Sequence, residues 1–184
     1  MEAEMIISGK GQKGLFTVEE VVKWMQKFLQ NAGYVLLPPS DSGQIQPDFL
    51  AGRQAADATY ELAGIACQNI DDASDGLIRL KEIKDVIGVE ADYVLVSPPL
   101  SEYFMIEFLT SEGGKRYFNI KDERFMVWIC NPERETTTCL IGGPRDAVLS
   151  EYFVKLGIVS FDTFIGMRLS QMIMAEEEEE EIGR

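Results

Sequence analysis

The sequence predicts an α/β protein with a mixed central sheet flanked by helices. Three observations carry that expectation. Amphipathic stretches of helical period alternate with short apolar runs of strand length. The chain is 46% hydrophobic with seven prolines among 184 residues, which suits a globular core. A hairpin-like pair and further helical stretches follow the first set of elements. The length therefore fits one domain, or one domain with a sizeable appendage.

Met5 to Ser8 has the composition of a short strand and runs into GKGQKG, where Gly9, Gly11 and Gly14 match the GxGxxG spacing of a dinucleotide-binding turn. That motif works when its last glycine lies in the helix that receives the pyrophosphate. Here the helix starts three residues later, where Thr17 and Glu20 form a T-x-x-E capping box. YVLLPPS, the next strand-like run, ends in Pro38 and Pro39 rather than in the acidic residue that would meet a ribose. The glycines read as a loop.

Residues 18–32 carry Val21, Val22, Met25, Phe28 and Leu29 at helical spacing, and Gly33 stands where a helix stops. YVLLP reads as a short buried strand, PSDSGQIQ as a polar loop, PDFLAGR as a second strand and ATYELAGIACQ as a third. Residues 71–89 restore the helical period through Leu77, Leu80, Ile83, Ile87 and Val89, with Asp71, Asp72 and Asp75 at the end the helix dipole favours. YVLVSPP is a fourth, fully apolar strand stopped by two prolines.

Beyond Pro99, residues 100–109 read as a helix closed by the segment 111–114. FMVWIC and TTTCLIGG flank NPERE as a β-hairpin, and residues 146–156 read as a helix between Pro144 and Gly157. Phe161, Phe164, Ile165, Leu169, Met172 and Ile173 form the stripe of a last amphipathic helix. The expected organisation is a core over 1–99 with a glycine-rich lead, a C-terminal extension over 100–175 packed on it, and an acidic disordered tail over 176–184.

Charge and composition exclude several classes of function. The net charge is −14, of which the terminal glutamates at 176–181 supply six, and residues 1–175 still carry −9. Such a body repels a phosphate backbone unless its cations cluster. Neither Arg79, Lys81 and Lys84 nor Lys10, Lys13, Lys23 and Lys27 are dense enough to define a nucleic-acid face. With no histidine and only Cys67, Cys130 and Cys139, the chain lacks the ligands of a structural zinc site and any histidine general base. The cysteines are expected to be buried reduced thiols. No apolar run has the length of a membrane span, and the acidic start is unlike a secretory signal, so the expected location is cytoplasmic.

The order αβββαβ, with PDF opening the second strand and IACQN closing the third, resembles the PD-(D/E)XK nuclease superfamily. The likeness is to its restriction endonuclease-like, Mrr and Holliday-junction resolvase-like branches, and it covers about 80 residues of the chain. In that superfamily two carboxylates on adjacent strands share a divalent metal, and a lysine two residues past the second stabilises the developing charge. By resemblance Asp48 matches the first carboxylate, Ala66 falls at the second and Gln68 at the lysine. A methyl group cannot bind a metal. Glu19 or Glu20 stands where some members place an acid on the first helix. Glu61 offers a second register, but its odd spacing sets it on the face opposite Ala66 and Gln68 unless the strand bulges.

The resemblance therefore implies a degenerate, non-catalytic nuclease-like domain acting as a protein-interaction or assembly module, with no cofactor. Its partner is expected to be another protein or a second copy rather than nucleic acid or membrane. The aromatic and methionine residues of the extension, including Trp128, Tyr152, Phe153 and those of the last helix, are candidates for such a contact. The alternative implied by the same resemblance is a DNA endonuclease using Mg²⁺ or Mn²⁺ at Asp48 with Glu20 or Glu61, Gln68 replacing the lysine. Nucleic-acid binding without cleavage is a third reading, opposed by the net charge.

Overall fold

The computed structural model describes residues 16–38, 45–68 and 72–183. The glycines of the GxGxxG spacing, the strand expected at residues 5–8 and Asp71 lie outside them.

The first helix, α1 (Val18–Asn31), opens on the capping box read from the sequence. Glu20 N donates to Thr17 Oγ1 at 3.2 Å, and Thr17 N donates to Glu20 Oε2 at 2.7 Å. The helix ends as its glycine requires. Gly33 has φ +88°, its N–H bonds the Gln30 carbonyl, and Tyr34 N–H reaches back to Leu29 O at 2.9 Å. The chain then turns directly into β1 (Val35–Leu36), a two-residue edge strand.

Antiparallel pairing links β1 to β2 (Phe49–Gln54) and β2 to β3 (Thr59–Ala66). Helix α2 (Ala73–Ile87) then carries the chain to β4 (Asp92–Ser97), which lies parallel to β3. Helix α3 (Glu102–Asp122) leads to β5 (Met126–Asn131), parallel to β4, and β6 (Thr136–Ile141) returns antiparallel. The result is one six-stranded mixed sheet in the order β1-β2-β3-β4-β5-β6, with helices on both faces. The expected α/β class and the αβββαβ order through β4 are present. The hairpin after it is not an appendage, since β5 pairs with β4 and continues the sheet.

Strand alternation sorts the core into two layers. Phe49, Ala51, Leu62, Ala66, Val94, Val96 and Trp128 face α1 and the short α4 (Ala147–Ser150). Ala63, Ile65, Leu95, Val127 and Ile129 face α2, α3 and α5 (Phe161–Ile182). Gly64 belongs to the first layer, where the Phe49 ring lies on it. A Cβ there would stand 2.0 Å from Phe49 Cζ.

Three expectations in the C-terminal half are corrected. Residues 115–122 form a second helical leg of α3, beyond a break at Ser111–Gly114 where Glu112, Gly113 and Gly114 take φ of 54°, 69° and 76°. Tyr117 and Ile120 of this leg bury against the core, and tertiary packing restarts the helix that the glycines stop. The helix expected over 146–156 is a single turn. After it Val154 N–H donates to Thr137 O at 2.9 Å, so the chain bonds the open edge of β6 instead of continuing as helix. Finally, the glutamates 176–181 are the last turns of α5 rather than a disordered tail.

Candidate functional site

The residues singled out by the nuclease resemblance gather, in part, where β2 begins and β3 ends. In a sheet with parallel strands, the carboxyl end is where the loops leave room for a ligand. Asp48 precedes β2 by one residue, and its N–H donates to Gly64 O at 2.9 Å. Its Oδ2 accepts from Ala66 N–H at 2.8 Å. The carboxylate thus replaces the strand carbonyl that β3 would meet if β2 started earlier. Its other oxygen, Oδ1, lies 3.5 Å from Arg79 Nη2, and the same nitrogen donates to Gln46 O at 3.4 Å. Arg79 stands on the second turn of α2, which faces this corner of the sheet.

Around Asp48 the strand ends are closed by backbone and apolar groups. Ala66 is buried, Cys67 N–H donates to Val96 O at 2.9 Å, and the Cys67 thiol points to the same carbonyl. Burial pushes that thiol up to about 12, with Asp72 and Asp48 adding in the same direction against a hydrogen bond with Ser97. Ser97 is itself buried and donates to Pro98 O at 3.0 Å. A thiol this protonated is no nucleophile near neutral pH. Gln68, one residue beyond, is exposed.

The other candidate acids stand apart. Glu61 pairs with Gly52 in an unbroken register from Phe49↔Gly64 to Gln54↔Thr59, and β3 carries no bulge there. Glu61 is thereby on the face opposite Ala66, exposed, and four positions from Asp48 measured along β2, roughly 13 Å. Glu20 is held by the capping box of α1, and its helix end adjoins the β5–β6 turn at Pro132 and Glu133. Glu19, its neighbour, is exposed in the same first turn. Among the described residues no three His, Cys, Asp or Glu side chains converge as ligands. A hard divalent cation wants six or more oxygens. Among the described residues Asp48 is the candidate carboxylate at this corner, with one oxygen taken by a backbone N–H and the other facing a guanidinium.

Sequence reasoning missed Arg79 as the partner of Asp48, because 31 residues separate them. It also missed a buried ionic cluster at the opposite end of the molecule. Asp146, 1% exposed, accepts from Arg53 Nε and Nη2 at 2.6 Å each, from Tyr34 OH at 2.8 Å and from Val148 N–H at 3.0 Å. The Arg53 hydrogen bonds hold this carboxyl below the usual carboxylate range, with Tyr34 and Val148 assisting against burial. Burial and the adjacent carboxylate push the Tyr34 phenol well above its ordinary value. Both carboxylate oxygens accept two hydrogen bonds each, which is the pattern of a structural tie rather than of a reactive group.

The chain is thus an α/β protein with a six-stranded mixed sheet, and the part-exposed Asp48 lies at the carboxyl end of β3. Neither a protein-family model nor a curated protein matches the sequence. Among solved structures it is similar to an XisH family protein from Nostoc punctiforme PCC 73102, at 12% identity and a TM-score of 0.45, over 64% of this chain and 95% of that one. No helix among the described residues is long and apolar enough to cross a membrane. A likeness at this level transfers no residue role.

Proposed function

We propose that this chain is a nuclease-like domain that has no catalysis of its own and works as a protein-interaction module. One observation carries the non-catalytic half of the reading. Asp48, the carboxylate matching the nuclease pattern, is engaged as a backbone acceptor for Ala66 N–H and as an ion-pair partner of Arg79, beside a methyl group where a second acid would be needed. The charge supports the second half. An acidic chain with a run of six of its glutamates on its last helix is unsuited to a polyanion and suited to a partner of opposite sign.

The test is incubation of the full chain with linear, branched and single-stranded DNA in Mg²⁺ or Mn²⁺, beside an Asp48→Ala control, with thermal unfolding followed in both metals. No cleavage and no metal-dependent rise in Tm are expected. Cleavage that disappears in the Asp48→Ala variant would overturn the reading in favour of a metal-dependent endonuclease.

A further inference from the structure

The last helix is two different structures joined end to end. Its first half is packed: Phe161, Ile165 and Leu169 are buried, Leu169 lies over Gly114 so closely that a Cβ there would sit 2.6 Å from its Cδ2, and Asp162 accepts from Tyr117 OH and Lys121 Nζ at 2.8 Å each. These contacts run α5 antiparallel to the second leg of α3. As α3 descends from Gly114 toward the start of β5, α5 climbs from Asp162 to Leu169. Residues 170–182 then continue past Gly114, about 20 Å of helix at 1.5 Å per residue, all of them exposed. They project toward the carboxyl end of the parallel strands.

The buried stripe does not stop where the packing stops. In steps of three, four and seven residues, Ile165 and Leu169 are followed on the same face by Met172, Ile173 and Glu176, and then by Glu179 and Glu180. Met172 and Ile173 are 40% and 44% exposed, and Met174 beside them is 60% exposed. The overhang is therefore an apolar patch followed by an acidic one along one line. The acidic part is costly as an isolated helix. Glu176 opposes Glu179 and Glu180, Glu177 opposes Glu180 and Glu181, and no cation occupies the last turn, where the helix dipole wants one. A cationic surface would relieve both the like-charge pairs and the dipole.

We infer that the distal half of α5 is a docking element for a basic, amphipathic partner protein, whose apolar side covers Met172 and Ile173 and whose lysines or arginines meet Glu176, Glu179 and Glu180. This deepens the interaction role proposed above and rests on it. Charge selects the occupant. A second copy would set one glutamate run against a chain of net charge −14, and nucleic acid is repelled outright.

The experiment titrates the full chain against a fluorescent helical peptide of leucine and lysine at helical spacing, read by anisotropy at several salt concentrations. An oligolysine without leucine, a leucine–glutamate counterpart and duplex DNA serve as comparisons. Binding of the leucine–lysine peptide is expected, weakening with salt, and about tenfold weaker after Met172→Ser with Ile173→Ser. Replacing residues 176–181 by glutamine should weaken binding and make its salt dependence shallower. Both variants change exposed positions only, and unchanged Tm confirms their fold. Equal binding of oligolysine with no effect of the serine variant would overturn the inference, as would duplex DNA bound as tightly as the peptide. So would a dimer by light scattering that the serine variant dissolves. DNA cleavage dependent on Asp48 would instead end the non-catalytic reading, through an assay that does not involve α5.

Discussion

Asp146 and Asp48 are both aspartates held by an arginine and by a backbone N–H, yet they sit in different physics. Asp146 is 1% exposed and takes two short bonds from Arg53, one from Tyr34 and one from Val148 N–H. Asp48 is 21% exposed, bonds one N–H at 2.8 Å and meets its arginine only at 3.5 Å. The carboxylate that no motif flags is the one built deeply into the fold. The carboxylate that the family pattern flags is a strand-end acceptor with a loose ion pair. Local backbone needs alone can account for an aspartate at that position.

The comparison breaks most visibly at Asp146. Asp146→Ala leaves a guanidinium, a phenol and an N–H without their acceptor, and should cost about 3 kcal/mol in urea unfolding. Asp48→Ala loses one strand-end hydrogen bond and a weak ion pair, and should cost about 1 kcal/mol by the same measurement. If the two losses are equal, the distinction between a buried tie and a strand-end acceptor fails. Gly64→Ala falls between them, near 2 kcal/mol, because the new methyl must displace the Phe49 ring.

Acid sharpens the same contrast. The folded pKa of Asp146 lies below its unfolded value near 3.9, so its stabilisation is complete above that value and is lost as pH falls through the folded pKa. The urea midpoint of the native chain should therefore drop below about pH 4 more steeply than that of Asp146→Asn. The smallest effect is expected at the surface. Lys27 and Glu135 approach to 2.5 Å but are each 57% exposed, so Lys27→Ala should change stability by less than about 0.5 kcal/mol. The thiols provide a further check of burial. Cys67 and Cys139, pushed up to about 12 by desolvation, should resist iodoacetamide at pH 8 in the folded chain and react in urea.

The legible part of this protein is local. Thr17 and Glu20 announce a helix start because the capping box closes within four residues, and Gly33 announces its end because the left-handed turn needs a glycine there. The alternation that puts Glu61 opposite Ala66 is likewise a property of one strand, and the register bears it out. Pairings that close across the chain were not legible: Arg79 to Asp48 over 31 residues, and Asp146 to Arg53 and Tyr34 over 93 and 112. Local pattern also misjudged helix lengths. Whether residues 115–122 resume a helix depends on a core for Tyr117 and Ile120, and whether residues 151–156 continue one depends on the open edge of β6.

By itself the sequence determined the alternation of helices and strands, the αβββαβ order and the lack of histidine and scarcity of cysteine as ligands, because period, caps and residue chemistry act over a few positions. Tertiary structure alone decided three other things. It extended the sheet through β5 and β6, assigned Asp48 to a backbone N–H, and left half of α5 beyond the core. Each depends on which distant surface is available to cover a given face, and burial is settled only when the whole chain has packed.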